Sequence, residues 1–283
     1  MQFHKSNATA FCALLMTVTS LQAESHAVSD EIIADQRAAL KAATLNMGHG
    51  PQSPRDLNQR AGKNRRVFGE APVVANMSIC DIHFHESAEH RGGSFTKFAG
   101  NGDGHGYGTG FKYDGDLSAS EIKSIDITVG KSEHGDLRPG DTIEVHFVYS
   151  TADATAGPTL DTCLHGSVAN PQLRVEAVVG VLVSDGGEDF VKMTQINEID
   201  GYKKAPNLPK DLGSPIVYSG STTGPDYNEK GSPFQVTWSV RPNVVKLDIF
   251  SVDAWLNDNP FQQSHAHGVR NLTTDLGLLS SID

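Results

Sequence analysis

The sequence predicts a single, mainly β domain with a minor helical part, and three observations predict it. Between residues 73 and 252, short apolar runs rich in β-branched residues alternate with clusters of Gly, Pro, Asp and Asn. The chain holds 28 glycines and 13 prolines, enough turn formers to punctuate such a pattern. Neither an internal repeat nor a linker-like stretch divides the 283 residues, and a β-rich domain of about 200–250 residues is an ordinary size.

Taken in order, the chain starts with Lys5 and an apolar stretch over 8–21, followed by Gln22 and Ala23. One positive charge, a short apolar segment and a small residue before the cut read as a signal peptide over 1–23. Cleavage is expected after Ala23, with Ala27 the second choice. An uncleaved membrane anchor is the competing reading, and the shortness of the apolar segment speaks against it. Residues 24–283 are then one domain, exported to the periplasm or secreted. Ser29, Asp30 and Glu31 ahead of Ile32, Ile33, Ala39, Leu40 and Ala43 predict a capped helical extension over about 29–46. A polar, turn-rich stretch runs over 46–66. Strands are expected within the runs 73–84, 121–129, 142–149, 173–183, 215–218, 235–240 and 244–252.

Two other segments invite chemistry and are read as loops. Residues 100–110 carry glycine at every second position but lack the Lys-Ser/Thr ending of a phosphate loop, so a flexible surface loop is expected. The acidic stretch 185–189 lacks EF-hand ligand spacing and reads as a solvated turn.

Charge and cysteine usage narrow the function classes. With 23 Lys and Arg against 34 Asp and Glu, the net charge of −11 provides no footprint for nucleic acid or anionic lipid. Beyond the first segment, no run of about 18 apolar residues offers a membrane span. Cys12 lies in the expected signal peptide, which leaves Cys80 and Cys163. In an exported chain such a pair most often forms a disulfide. A role as metal ligands is the alternative, although the two lack the close spacing of zinc-thiolate sites.

The strongest chemical signal is Asp81-Ile82-His83-Phe84-His85. On a strand, His83 and His85 share one face, about 6.5–7 Å apart along the chain. Glu144-Val145-His146 lies in a second expected strand and can bring a third imidazole. Three imidazoles with an open fourth position describe a catalytic zinc site, because structural sites are closed by four protein ligands. Such a metal lowers the pKa of bound water to about 7. Asp81 and Glu144 each lie two residues before a candidate ligand and are suited to accept from the imidazoles.

These residues resemble the zinc-binding framework of the carbonic anhydrases. The α class has the same His-Xaa-His, Glu-His and Glu-Xaa-His elements, here 83–85, Glu89-His90 and 144–146. The three-residue gap between His85 and Glu89, with His265-Ala266-His267-Gly268-Val269-Arg270, is similar to the δ class and its bacterial relatives. Gly50-Pro51-Gln52-Ser53-Pro54, the run 177–182, Tyr218-Ser219-Gly220-Ser221-Thr222-Thr223 and Val236-Thr237-Trp238 resemble further α-class segments in chain order.

The resemblance implies one large, mostly antiparallel central sheet of α-carbonic-anhydrase-like architecture. It also implies one zinc ion per chain, with cobalt or cadmium as substitutes, held by His83, His85 and His146. The activity would be reversible hydration of CO2 to bicarbonate and a proton by a zinc-held hydroxide. Thr223 would orient that nucleophile by donating to Glu89, with Thr222 in reserve because the match needs a one-residue gap. Asp81, Glu144 and His90 would support the ligands, and Val148, Val178, Val236 and Trp238 would wall the CO2 pocket. No proton shuttle is assigned among His49, His90, His105, His134, His165, His265 and His267. Two alternatives stay open: a non-catalytic binding module, and a zinc-dependent ester hydrolase.

Overall fold

The computed structural model describes residues 27–166, 168–222 and 229–282. The expected signal peptide and Thr223 lie outside the described residues. Helix α1 (Asp30–Thr44) follows Ser29, which sits at the N-cap position without a side-chain hydrogen bond. Asp30 and Glu31 in its first turn complement the helix dipole. Its buried stripe is Ile33, Leu40 and Thr44.

Eleven strands occur among the described residues. They are β1 (Ser78–Glu86), β2 (Lys97–Asn101), β3 (Thr109–Lys112), β4 (Val129–Ser132), β5 (Gly135–Leu137) and β6 (Thr142–Ser150). Next come β7 (Leu173–Val183), β8 (Asn197–Ile199), β9 (Tyr202–Lys204), β10 (Ile216–Ser221) and β11 (Gln235–Asp248). The short helix α2 (Phe190–Met193) precedes β8, and α3 (Ile249–Asn257) follows β11. Five strands form the main sheet in the order β1-β6-β7-β11-β10. All its pairings are antiparallel except β7 with β11. The fold is therefore mainly β around a large, mostly antiparallel sheet.

Both faces of this sheet are buried. On one, Ile82, Phe84, Val145, Phe147, Val178 and Leu182 pack with Phe190 and with Val252 and Trp255 of α3. On the other, Val148, Val175, Ala177, Val179, Val236, Trp238 and Val240 form a second cluster with Cys80 and Cys163. That coverage explains why β7 reads as an unbroken apolar run with only Arg174 and Glu176 interrupting it. Cys80 and Cys163 are joined in a disulfide that ties β1 to the 3-10 turn Leu160–Leu164.

Three expectations differ from the structure. Residues 121–128 are turn and irregular backbone rather than strand, and β4 begins only at Val129. Glu121 explains the turn: its N–H donates to Ser118 Oγ, and its carboxylate accepts from the Ser118 N–H. The apolar run 244–252 is divided, since β11 ends at Asp248 and α3 begins at Ile249. The Asp248 carboxylate accepts from the Phe250 N–H and caps the new helix. Finally, the glycine-rich segment is the connection between β2 and β3, packed rather than free. Gly102, Gly104 and Gly106 are buried, and Val28 N–H, Gln36 Nε2 and Val269 N–H donate to their carbonyls at 2.9, 2.8 and 2.8 Å. At Gly102, φ is +62° and an added Cβ would lie 2.0 Å from the Tyr107 carbonyl oxygen, so the tight reversal there requires glycine.

The disulfide closes a separation of 83 residues. Replacing both cysteines by serine is expected to lower unfolding stability by about 4–5 kcal/mol. Urea unfolding of the purified double variant measures this, and an unchanged midpoint would contradict it.

Candidate metal centre

The centre is built by strand register. In the antiparallel β1–β6 pair, His83 lies directly opposite His146 and His85 opposite Glu144. Directly paired residues share a sheet face, so three imidazoles converge from two strands. One ring nitrogen from each of His83, His85 and His146 lies within 4.8 Å of the others, and all three residues are buried.

The second nitrogen of each ring is occupied by an acceptor. His83 Nδ1 donates to Asp81 Oδ2 at 2.6 Å, His85 Nδ1 to the Gly268 carbonyl at 2.9 Å, and His146 Nε2 to Glu144 Oε1 at 2.9 Å. Ionised carboxylates and carbonyls only accept, so these bonds fix where each ring carries its proton. The remaining nitrogens are Nε2 of His83 and His85 and Nδ1 of His146. His85 Nε2 is buried without any hydrogen-bond partner. An unsatisfied buried polar atom costs about 1–3 kcal/mol, and a metal ion is the partner that three converging imidazole lone pairs suit. The residues present therefore fit the metal.

Burial pushes the His85 imidazole down to about 4 against the raising field of Glu89, which keeps it neutral. Burial also lowers His83, but the Asp81 carboxylate outweighs it and holds that ring above its ordinary value. Glu144 is fully buried, which alone would favour its protonated form. His90 and His146 overcome this, and the carboxyl stays well below the usual range.

Glu144 heads a buried polar chain. Its Oε1 also accepts from His90 Nδ1 at 2.6 Å and its Oε2 from the His90 N–H at 3.1 Å. His90 Nε2 then accepts from the Tyr218 hydroxyl at 2.6 Å, and Arg55 stacks over the Tyr218 ring with its guanidinium 5.4 Å from the centroid. Burial raises Tyr218 well above its ordinary pKa, so the hydroxyl keeps its proton to donate.

Glu89 is buried beside the three rings. Its Oε1 accepts from the Arg270 N–H at 3.1 Å and lies 3.5 Å from His85 Nδ1, and its Oε2 lies 4.0 Å from His146 Nε2. Burial pushes this carboxyl up, but the neighbouring His85 and His146 bring it below its ordinary value. The Thr222 hydroxyl bonds Ser232 Oγ at 3.0 Å, and the Thr222 carbonyl accepts from Arg270 Nη1 at 3.2 Å.

Trp238 lies edge-on to His146 and His90, both at 5.0 Å between ring centroids. Val148 and Val236 belong to the same apolar cluster. Val178 does not. It pairs with Val145 and packs on the opposite side of the sheet, because alternation along β7 gives Ala177, the partner of His146, to the histidine face. The expectation of Val178 in the pocket wall is thus corrected, and Val175 and Ala177 occupy that face of β7 instead.

Three participants carry no expected role in the sequence reading. The Gly268 acceptor is a backbone carbonyl and has no side-chain signature. Tyr218 stands in a quoted segment, but only the fold shows its bond to His90. His267 pairs with His85 through a parallel β-bridge, and its ring centroid lies 5.3 Å from His83. Its Nε2 donates to Gln263 Oε1 at 2.6 Å, and burial pushes its pKa down to about 2, aided by His83 and His85.

The family model for delta carbonic anhydrase matches residues 74–251. Among solved structures, the chain is similar to the α-carbonic anhydrase from Thermovibrio ammonificans in complex with the inhibitor sulfanilamide. Identity there is 18%, coverage 80% of this chain and 84% of that chain, and the TM-score 0.29. Photobacterium profundum α-carbonic anhydrase matches at 16% identity over 86% of this chain and 93% of that chain, with a TM-score of 0.28. A halotolerant carbonic anhydrase from Dunaliella salina matches at 16% identity, 81% and 85% coverage, and a TM-score of 0.34. No curated protein sequence matches the chain. The family match runs from the 3-10 turn before β1 into α3 and takes in β1, β6 and every residue of the histidine group, so this chain belongs to the delta carbonic anhydrase family.

Proposed function

We propose that the protein is a zinc-dependent carbonic anhydrase that interconverts CO2 and bicarbonate. The observation that carries this is the three-histidine group, in which each ring has one nitrogen tied to a fixed acceptor. His83, His85 and His146 would hold the ion. Zinc, when bound, supplies a Lewis acid that makes water nucleophilic at neutral pH. Asp81, the Gly268 carbonyl and Glu144 keep the three lone pairs turned inward, and His90 and Tyr218 hold Glu144 in turn.

Glu89 is the proposed acceptor for the hydroxyl of Thr223, which would orient the attacking oxygen without itself moving a proton to bulk water. A carboxylate kept ionised by two imidazoles and fixed by the Arg270 N–H suits that task. Val148, Val236 and Trp238, with Val175 and Ala177, form an apolar face that would hold uncharged CO2 beside the metal and exclude water. We further propose that residues 24–283 act as one exported catalytic domain. The Cys80–Cys163 disulfide is compatible with an oxidising compartment. No helix among the described residues is long and apolar enough to cross a membrane.

Stopped-flow hydration with a pH indicator, on protein as purified, after chelation and after zinc is restored, tests the reading. Activity should disappear with the metal and return with zinc. His146→Ala is expected to lose both retained zinc, measured by elemental analysis, and hydration. Near-normal turnover in that variant would overturn the proposal, and one bound zinc without hydration in the wild-type protein would favour a binding module. Glu144→Gln is expected to weaken zinc affinity by about 10–100-fold, read by competition with a chromogenic chelator.

A further inference from the structure

On the sheet face away from the histidines lies a cleft of about 520 Å³, which falls within the usual range for small-molecule sites of about 300–1,000 Å³. Its floor is made by side chains that register places in rows. Arg174 pairs with Thr237, and Glu176 with Ser239, across β7 and β11, while Val217 of β10 faces Ser239. These are the alternates of Val175, Ala177 and Trp238, so floor and metal centre are on opposite sides of one sheet. The rim forms where β11 breaks register between Val240 and Val244. Pro242 has no N–H for the ladder, and its carbonyl accepts instead from the Ser94 N–H at 2.9 Å. Arg241 flanks that break and lines the cleft.

The lining has two parts. Arg174, Lys204, Lys210 and Arg241 face a single acid, Glu176, in a chain whose net charge is −11. Glu176 Oε2 is already engaged, accepting from Ser239 Oγ at 2.9 Å with Arg241 Nη2 at 3.7 Å. Arg174 is held by Glu70 and by the Ala71 and Pro72 carbonyls, and Lys204 by backbone carbonyls that include Ala75. Arg241 is held by the Gly213 carbonyl, which accepts from its Nη1 at 3.5 Å, and by Glu176, while its Nε is buried without a hydrogen-bond partner. The second part is apolar: Val73 is 61% exposed, Ile199 40% and Val217 38%, three large hydrophobic side chains left in water around one concavity. Isolated exposed hydrophobics need no explanation, but a group rimming a cleft does.

We propose that this cleft is a second ligand site that binds a small amphiphilic monoanion, such as a medium-chain carboxylate, with its head group on Arg241 and its apolar body against Val73, Ile199 and Val217. The anion finds an excess of positive lining charge, to which the exposed Lys210 and the Arg241 guanidinium both contribute. The tail removes exposed apolar surface from water. A cation would meet the positive excess that remains after Glu70 and Glu176 are paired, and a neutral apolar ligand would leave that excess without a counter-ion.

The probe is 8-anilinonaphthalene-1-sulfonate, an aromatic monoanion, titrated by fluorescence into the purified protein and displaced with decanoate or, as control, decylamine. One probe should bind per chain, with decanoate displacing it and decylamine failing to. Arg241→Met should weaken binding about tenfold or more, the size expected for one lost charge-assisted hydrogen bond. Lys210→Glu changes an exposed residue that the fold does not need, and it should weaken binding in the same direction. His83→Ala should leave the affinity unchanged, which separates the cleft from anion binding at the metal centre. Wild-type affinity in both Arg241→Met and Lys210→Glu would overturn the proposal. So would loss of binding in His83→Ala. A stable dimer by light scattering that Val217→Asp dissociates, with no probe bound, would also overturn it and assign the cleft to a second copy.

Discussion

The pairing of β1 with β6 is the constraint on which the candidate metal centre depends. It sets His83 opposite His146 and His85 opposite Glu144, and therefore decides which side chains can meet at all. Side-chain period in a strand is two, so a slip of β1 by one residue would send His83 and His85 to the apolar face that Phe147 occupies and bring Ile82 and Phe84 to the side of His146. The alternative register is excluded by both faces at once. Phe84, Val145 and Phe147 are needed against α3, while Asp81, His83, Glu144 and His146 need one another. Hydrophobic packing behind the sheet thus fixes the polar chemistry in front of it.

The polar face is costly to bury and is organised to offset that cost. Glu144 is fully buried, and an isolated carboxylate there would protonate. Three donors from His90 and His146 keep it charged, and His90 in turn accepts from Tyr218 under the Arg55 guanidinium. Each member satisfies the next, which is the condition under which a buried network stiffens a site rather than weakening it. Asp81 serves His83 alone, and the Gly268 carbonyl serves His85. The three rings are thereby held by three different means: a nearby carboxylate on the same strand, a backbone oxygen from a distant segment, and a carboxylate that is itself anchored.

How much of this was legible in the sequence varies with the kind of interaction. Local alternation carried the histidines, because His83 and His85 at spacing two must share a face and Glu144 must share one with His146. The Asp81 and Glu144 contacts follow from the same rule, and the main strands were visible as β-branched runs between turn formers. Val178 shows where the rule needs a second input. Alternation says that neighbours on β7 face opposite ways, but only the His146–Ala177 register says which way. The 244–252 run hid a helix because a short apolar stretch carries no periodicity that separates strand from buried helix, and the Asp248 cap lies within it. The Gly268 carbonyl and the Tyr218–His90 bond are products of long-range folding, with no local pattern to announce them.

The glycine-rich connection links these levels. Every glycine at its alternate positions 100–110 has positive φ, so the segment reverses repeatedly and presents carbonyls rather than side chains to its neighbours. On one side the Gly102 carbonyl accepts from the Val28 N–H and the Gly104 carbonyl from Gln36, seating α1. On the other the Gly106 carbonyl accepts from the Val269 N–H, one residue beyond the Gly268 carbonyl that orients His85. At Gly268 itself an added Cβ would lie 3.0 Å from the Tyr107 ring, so the two segments meet nearly backbone to backbone. Helix α1 lies far from the histidines in sequence, yet only this one layer of backbone separates it from the oxygen that sets the His85 ring. Side chains in that layer would hold the segments apart and move the acceptor away from the imidazole it fixes. Gly102 and Gly268, where an added Cβ would lie 2.0 and 3.0 Å from Tyr107, are therefore a spacing requirement of the candidate metal centre rather than slack in a surface loop.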